Sequence, residues 1–114
     1  LVLPSTDEPW GLVVNEAMAA GLPVLLSSST GCLPDLLEGA GNGLSFDETN
    51  VQAVAGCLER FARLDEEQLR QMGLRSAERI ASWNYSSALA GIYRALKAVA
   101  PNRFQGALSP VAAS

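Results

Sequence analysis

Glu8 and Glu16 bracket Gly11 in the run Pro4-Ser5-Thr6-Asp7-Glu8-Pro9-Trp10-Gly11-Leu12-Val13-Val14-Asn15-Glu16. A helix starting near Trp10 would offer unpaired backbone N–H groups and the positive end of its dipole to an anion. Gly11 has no Cβ and lets a ligand approach the backbone, so the amides of Gly11, Leu12 and Val13 are candidate anion holders. Glu8 lies in the loop before this helix and Glu16 lies one to two turns into it. Two carboxylates beside an anion site suit a ligand with hydroxyls on both sides of its phosphates, as in a nucleotide sugar. A plainer reading is also open. Ser5 and Glu8 have capping-box spacing, an acid near a helix N-terminus is stabilising by itself, and Glu16 fits an ordinary solvated helix position. Trp10 fits a packing role and Cys32 a small buried one. Spacing alone does not choose between these readings.

Composition narrows the chemistry. The 114 residues contain no His, which excludes a Ser-His-Asp or Cys-His nucleophile, a His-ligated zinc and an imidazole base within the chain. No metal site and no cofactor are expected, and the absence of an Asp-x-Asp is consistent with metal-independent chemistry. With 48% hydrophobic and 18% charged residues the chain can build a packed core and is not intrinsically disordered over most of its length. The net charge of −4 hides an asymmetry: residues 1–59 hold eight acids and no Lys or Arg, while residues 60–114 hold all eight cations and four acids. An acidic chain without clustered cations is not expected to bind nucleic acid. Cys32 and Cys57 form no CxxC pair and no disulfide framework, so free thiols and a reducing cytoplasm are expected. The apolar stretch from Gly11 to Leu26 is interrupted by Asn15, Glu16, Gly21 and Pro23 and is too short to span a bilayer. No initiator Met is present, and the expectation is a piece of a longer protein.

The elements that would place these residues follow from periodicity. Leu1-Val2-Leu3, stopped by Pro4 and Ser5, predicts a buried strand end. A helix is predicted from about Trp10 to Ala20, with Leu12, Val13, Ala17 and Ala20 on one face and Gly21 as its stop. Pro23 to Leu26 predicts a second buried strand, completing a right-handed βαβ unit and setting the fold class as α/β. Pro34 predicts a short helix through Leu37, and residues 44–46 a third strand. Asn50 is the expected N-cap of a helix with the stripe Val51, Val54, Ala55, Leu58, Phe61 and Ala62. Asp65 with Gln68 reads as a capping box opening a helix with the stripe Leu69, Met72, Ser76, Ile80 and Trp83. A last helix follows Asn84, carrying Ala88, Leu89, Ile92, Tyr93, Leu96 and Val99. Three short strands make half of the five or six that a doubly wound domain needs, so the rest of the sheet is expected upstream.

The run from Pro4 to Val24 resembles the donor-binding signature of family 4 retaining glycosyltransferases: Glu, seven residues, Glu, then Ala-Met-Ala-x-Gly-x-Pro-Val. Thr30-Gly31-Cys32-Leu33-Pro34-Asp35 is similar to the family's Gly-Gly-x-Pro-Glu loop, Asn42 to Asp47 to its Gly-rich strand, and Ser82-Trp83-Asn84 to the aromatic before its last helix. The likeness spans roughly residues 1–98. It implies a GT-B enzyme of two Rossmann-like domains with the active site between them. Residues 1–83 would be the later half of the donor-binding domain, 84–100 a C-terminal helix packing back toward an absent N-terminal domain, and 101–114 a flexible tail. It also implies that Glu8 meets the transferred sugar, that Glu16 binds the donor ribose, and that backbone from Trp10 to Val13 contacts sugar and diphosphate. The implied reaction is metal-independent, retaining transfer of a hexosyl group from a nucleotide diphosphate sugar. Glu8 would steady an oxocarbenium-like transition state as an electrostatic and positioning group. The acceptor would be a glycan, lipid or small molecule, with peripheral membrane association of the full-length protein left open. Cys32 replaces the loop's second glycine, a departure expected to narrow the donor site. A non-catalytic nucleotide- or phosphate-binding module is the alternative.

Overall fold

Short apolar runs cut by Pro and Gly give three strands: β1 (Val2–Leu3), β2 (Val24–Ser27) and β3 (Gly43–Phe46). The computed structural model describes residues 1–37, 39–101 and 103. The strands form one parallel sheet in the order β1-β2-β3, with Val2 opposite Leu25, Leu25 opposite Leu44 and Ser27 opposite Phe46. Parallel neighbours need crossovers, which α1 (Leu12–Ala19) and α2 (Leu33–Leu36) supply. Three longer helices follow: α3 (Val51–Ala62), α4 (Glu66–Ala81) and α5 (Tyr85–Val99). The expected fold class, α/β with a short parallel sheet and flanking helices, is the one observed.

Strand alternation divides the core. Val24 and Leu26 join Val14, Ala17 and Met18 of α1, Leu36 of α2 and Ile80 of α4 in one cluster. Leu25 joins Phe46 and Cys57, with Val54 and Phe61 of α3 packed against them, in the other. All four residues of β2 are fully buried, as a central parallel strand requires. The expected α1 stripe is corrected here. Leu12 is 70% exposed and Val13 is 41% exposed, and the buried face is Val14, Ala17 and Met18. A helix with apolar residues nearly all round presents two candidate stripes, and packing against β2 and α4 selects the second. In α3, likewise, Val54, Cys57 and Phe61 face inward while Val51 and Leu58 are exposed.

Local signals fixed the helix starts. The Asn50 side chain accepts hydrogen bonds from the amides of Gln52 (3.0 Å) and Ala53 (3.1 Å). Asp65 and Gln68 form the reciprocal capping box, with amide-to-side-chain distances of 2.9 and 2.8 Å. Asn84 accepts from the Ser87 amide at 3.0 Å.

The chain divides into two compact units, Leu1–Ala81 and Ser82–Ser114. The first holds the sheet and α1 to α4. In the second, α5 has no buried residue, and Leu89, Ile92 and Leu96 are exposed. The tail expected over residues 101–114 lies, apart from Pro101 and Arg103, outside the described residues. Among the described residues no helix is long and apolar enough to cross a membrane.

Candidate functional site

The loops that follow β1, β2 and β3 gather at the carboxyl end of the parallel sheet, where open α/β sheets bind ligands. The β1–α1 loop, which carries Glu8, lies alongside the loop after β2. Glu8 and Thr30 form an isolated parallel bridge; the Gly31 amide donates to the Glu8 carbonyl at 2.8 Å and the Cys32 amide to the Trp10 carbonyl at 3.2 Å. Ser27, fully buried at the end of β2, donates from Oγ to the Ser5 carbonyl at 2.5 Å and lies 3.0 Å from Thr30 Oγ1. The third loop joins through Glu48, whose carboxylate accepts hydrogen bonds from the hydroxyls of Ser28 and Ser29. Those bonds, the Ser29 one foremost, hold the Glu48 carboxyl below the ordinary carboxylate range.

Glycine is required twice here. Gly11 takes the left-handed conformation, φ 89° and ψ 65°, at the N-cap of α1, and it is buried against Leu3, Glu8 and Val14. Its first role is therefore to turn the chain into the helix. A Cβ at Gly31 would run into the Pro9 carbonyl, so the close approach of the two loops depends on that residue.

The N-terminus of α1 differs from those of α3, α4 and α5. No side chain caps it, no acid lies in its first turn, and Val14 bonds back to the Gly11 carbonyl at 2.8 Å. The amides of Leu12 and Val13 consequently point out of the helix without an intrahelical acceptor. The capping-box alternative for Ser5 and Glu8 does not form. The Glu8 carboxylate instead accepts from the Trp10 amide at 3.3 Å. Glu16 is exposed on α1, and its carboxylate has no protein partner among the described residues. The structure thus brings Glu8, Trp10, Gly11, Leu12 and Val13 into one turn of chain, with Glu16 further along the same helix. Trp10 packs its half-buried ring on the first core cluster and donates from Nε1 to Asn15 Oδ1 at 3.0 Å.

The expected narrowing at Cys32 is corrected. Its side chain is completely buried in the core and does not project into the loop's outer surface. Burial pushes the thiol's pKa up, and the charges of Glu8 and Asp35 add to that effect, which disfavours the thiolate. Cys57, also free and buried, is raised by burial as well. Ser27, Thr30, Asn15 and Glu48 were not singled out from the sequence. A serine ending a fully apolar strand and an asparagine inside an apolar helix were the available signals. Among the described residues no group of three or more Cys, Asp or Glu is placed to hold a metal ion.

Comparison with known proteins gives a consistent picture. Residues 1–79 match the family model described as glycosyl transferases group 1. The D-inositol 3-phosphate glycosyltransferase of Streptomyces griseus is 35% identical over 98 residues, which is 83% of this chain and 20% of that protein. The protein of the same name from Nocardia farcinica is 32% identical over 113 residues, covering 99% of this chain and 24% of its own length. Among solved structures, sucrose-phosphate synthase from Thermosynechococcus elongatus superposes with a TM-score of 0.70 at 31% identity, over 87% of this chain and 25% of that one. The chain therefore spans about a quarter or less of these relatives.

Proposed function

The chain belongs to the glycosyl transferases group 1 family, and from that premise we propose that it forms the later part of the donor-binding domain of a retaining hexosyltransferase of the family 4 type. The observation that carries this reading is the uncapped N-terminus of α1, set at the carboxyl end of the sheet with Glu8 before it and Glu16 within it. The Leu12 and Val13 amides would take the donor diphosphate, as helix N-termini take phosphate generally. Glu16 would bind the ribose hydroxyls. Glu8 would face the transferred sugar and stabilise positive charge developing at its anomeric carbon, without forming a covalent bond. Backbone at Trp10 and Gly11 would border the sugar. The donor is a nucleotide diphosphate hexose, the acceptor is held chiefly by residues outside this chain, and the reaction runs in the cytoplasm. The exposed apolar face of α5, with Leu89, Ile92 and Leu96, would be covered by the N-terminal domain of the enzyme that contains this chain.

The test is Glu8→Gln in that whole enzyme. Turnover of UDP-glucose, UDP-N-acetylglucosamine and GDP-mannose is followed as released nucleoside diphosphate, and UDP and GDP affinities are measured beside it. Loss of an electrostatic stabiliser predicts about a hundredfold lower turnover. Affinity for the nucleoside diphosphates should stay near wild type, because they lack the sugar that Glu8 faces. Near-normal turnover would return Glu8 to a loop-shaping role.

A further inference from the structure

We infer that Asn15 is a positioning residue for Glu8, acting through the indole and peptide of Trp10; the inference deepens the reading of Glu8 given above. The Trp10 amide donates to Glu8 Oε1 at 3.3 Å, and that bond orients the carboxylate. Where the amide points depends on how the Trp10 backbone is held. The contacts that hold it include these: its carbonyl accepts from the Cys32 amide at 3.2 Å, its ring packs on the first core cluster, and its Nε1–H donates to Asn15 Oδ1 at 3.0 Å. The last contact ties a loop residue to the second turn of α1, a helix buried on its other face by Val14, Ala17 and Met18. Asn15 is a weak helix former in a helix of apolar residues, and a short side chain competes with the backbone for hydrogen bonds at such a position. Committing its oxygen to the indole accounts for its presence. The same helix carries Glu16 at the next position, so one rigid element sets Glu16 directly and Glu8 through the indole. Sites built on helices hold geometry better than sites on loops, and small misplacements of a reacting group cost large factors in rate.

The test uses the whole enzyme labelled with 15N-tryptophan, with the Trp10 resonances assigned by Trp10→Phe. Asn15→Leu keeps the side-chain size, favours the helix more than Asn does, and removes the acceptor. The inference expects the Trp10 indole resonance to move in Asn15→Leu, and the Trp10 backbone amide to move with it by at least about half the shift that Glu8→Ala produces. It also expects turnover of the same three nucleotide sugars to fall about tenfold in Asn15→Leu with UDP and GDP affinities unchanged. Trp10→Phe should show the same fall, and the double variant should be no worse than either single one, since both break one linkage. An unmoved backbone amide in Asn15→Leu, or falls that multiply in the double variant, would overturn the inference. Normal turnover in Glu8→Gln would sink the catalytic reading of Glu8 instead, while the amide shift would still decide the Asn15 linkage.

Discussion

Glu16 and Gly31 show how differently two residues of one site can matter. The Glu16 carboxylate is exposed and touches no protein group among the described residues, so little stability depends on it. Glu16→Ala in the whole enzyme is predicted to weaken donor and nucleoside diphosphate binding by roughly 10 to 150 fold, the worth of about 1.5 to 3 kcal/mol in hydrogen bonds to ribose hydroxyls. Its thermal midpoint should not move. Calorimetric titration with UDP and GDP checks this, and unchanged affinity would sink the ribose assignment. Gly31 touches no proposed ligand, yet a Cβ there collides with the Pro9 carbonyl. Gly31→Ala is predicted to destabilise the fold by about 1 to 3 kcal/mol, as overpacking against backbone does, and to lower turnover by displacing the Glu8 loop. Thermal unfolding read beside turnover separates the two effects. If both are unchanged, the loops are not locked together through the Glu8–Gly31 bond.

Among the elements, α1 is set apart from α3, α4 and α5 by its open N-terminus. The others satisfy their first amides with Asn50, Asp65 and Asn84, and this should show as a division between stability and function. Asn50→Ala should cost about 1 kcal/mol of stability, within the range for lost N-caps, and leave donor affinity unchanged in titration. The Ser28–Ser29 loop offers a pH test. Glu48 is held below its ordinary pKa of 4.5 by its serine hydrogen bonds. A depressed folded-state pKa means that the tether is complete above 4.5 and is lost only as pH falls through the lower folded value. Hydrogen exchange at residues 28–30, corrected for intrinsic rates, should therefore stay flat from neutral pH down to the ordinary value and accelerate below it. Acceleration already at pH values well above the carboxylate range would show that Glu48 does not hold the loop.

For the whole molecule, charge and completeness dominate. The first 59 residues, which contain the proposed donor site, hold eight acids and no cation. A donor diphosphate carries about two negative charges, and a helix N-terminus offsets only about half a unit. Four of the later arginines have partners elsewhere: Arg63 pairs with Glu59, Arg70 with Glu67, Arg75 donates to the Gly41 carbonyl and Arg79 to the Asp35 carbonyl. The balancing cations are proposed to come from residues outside this chain, which spans about a quarter or less of its relatives. The 114-residue chain alone should show no micromolar affinity for UDP-glucose or GDP-mannose by calorimetry, whereas the whole enzyme should. Micromolar binding by the chain alone would show that the site needs no further cations.

Sequence by itself determined what depends on neighbours along the chain. The Pro and Gly punctuation placed three strands to within about two residues, and Asn50, Asp65 with Gln68, and Asn84 marked helix starts, because a cap acts on amides two or three residues away. The spacing of Glu8 and Glu16 around Gly11 also stood in the sequence, since one loop and one helix place all three. Tertiary structure alone decided which apolar stripe of α1 is buried, that Cys32 turns into the core, and that Ser27 ties the Glu8 loop to β2 across 22 positions of sequence. Those outcomes depend on which surfaces meet when the sheet forms. Nothing local distinguishes Val13 from Val14 until β2 and α4 cover one of them.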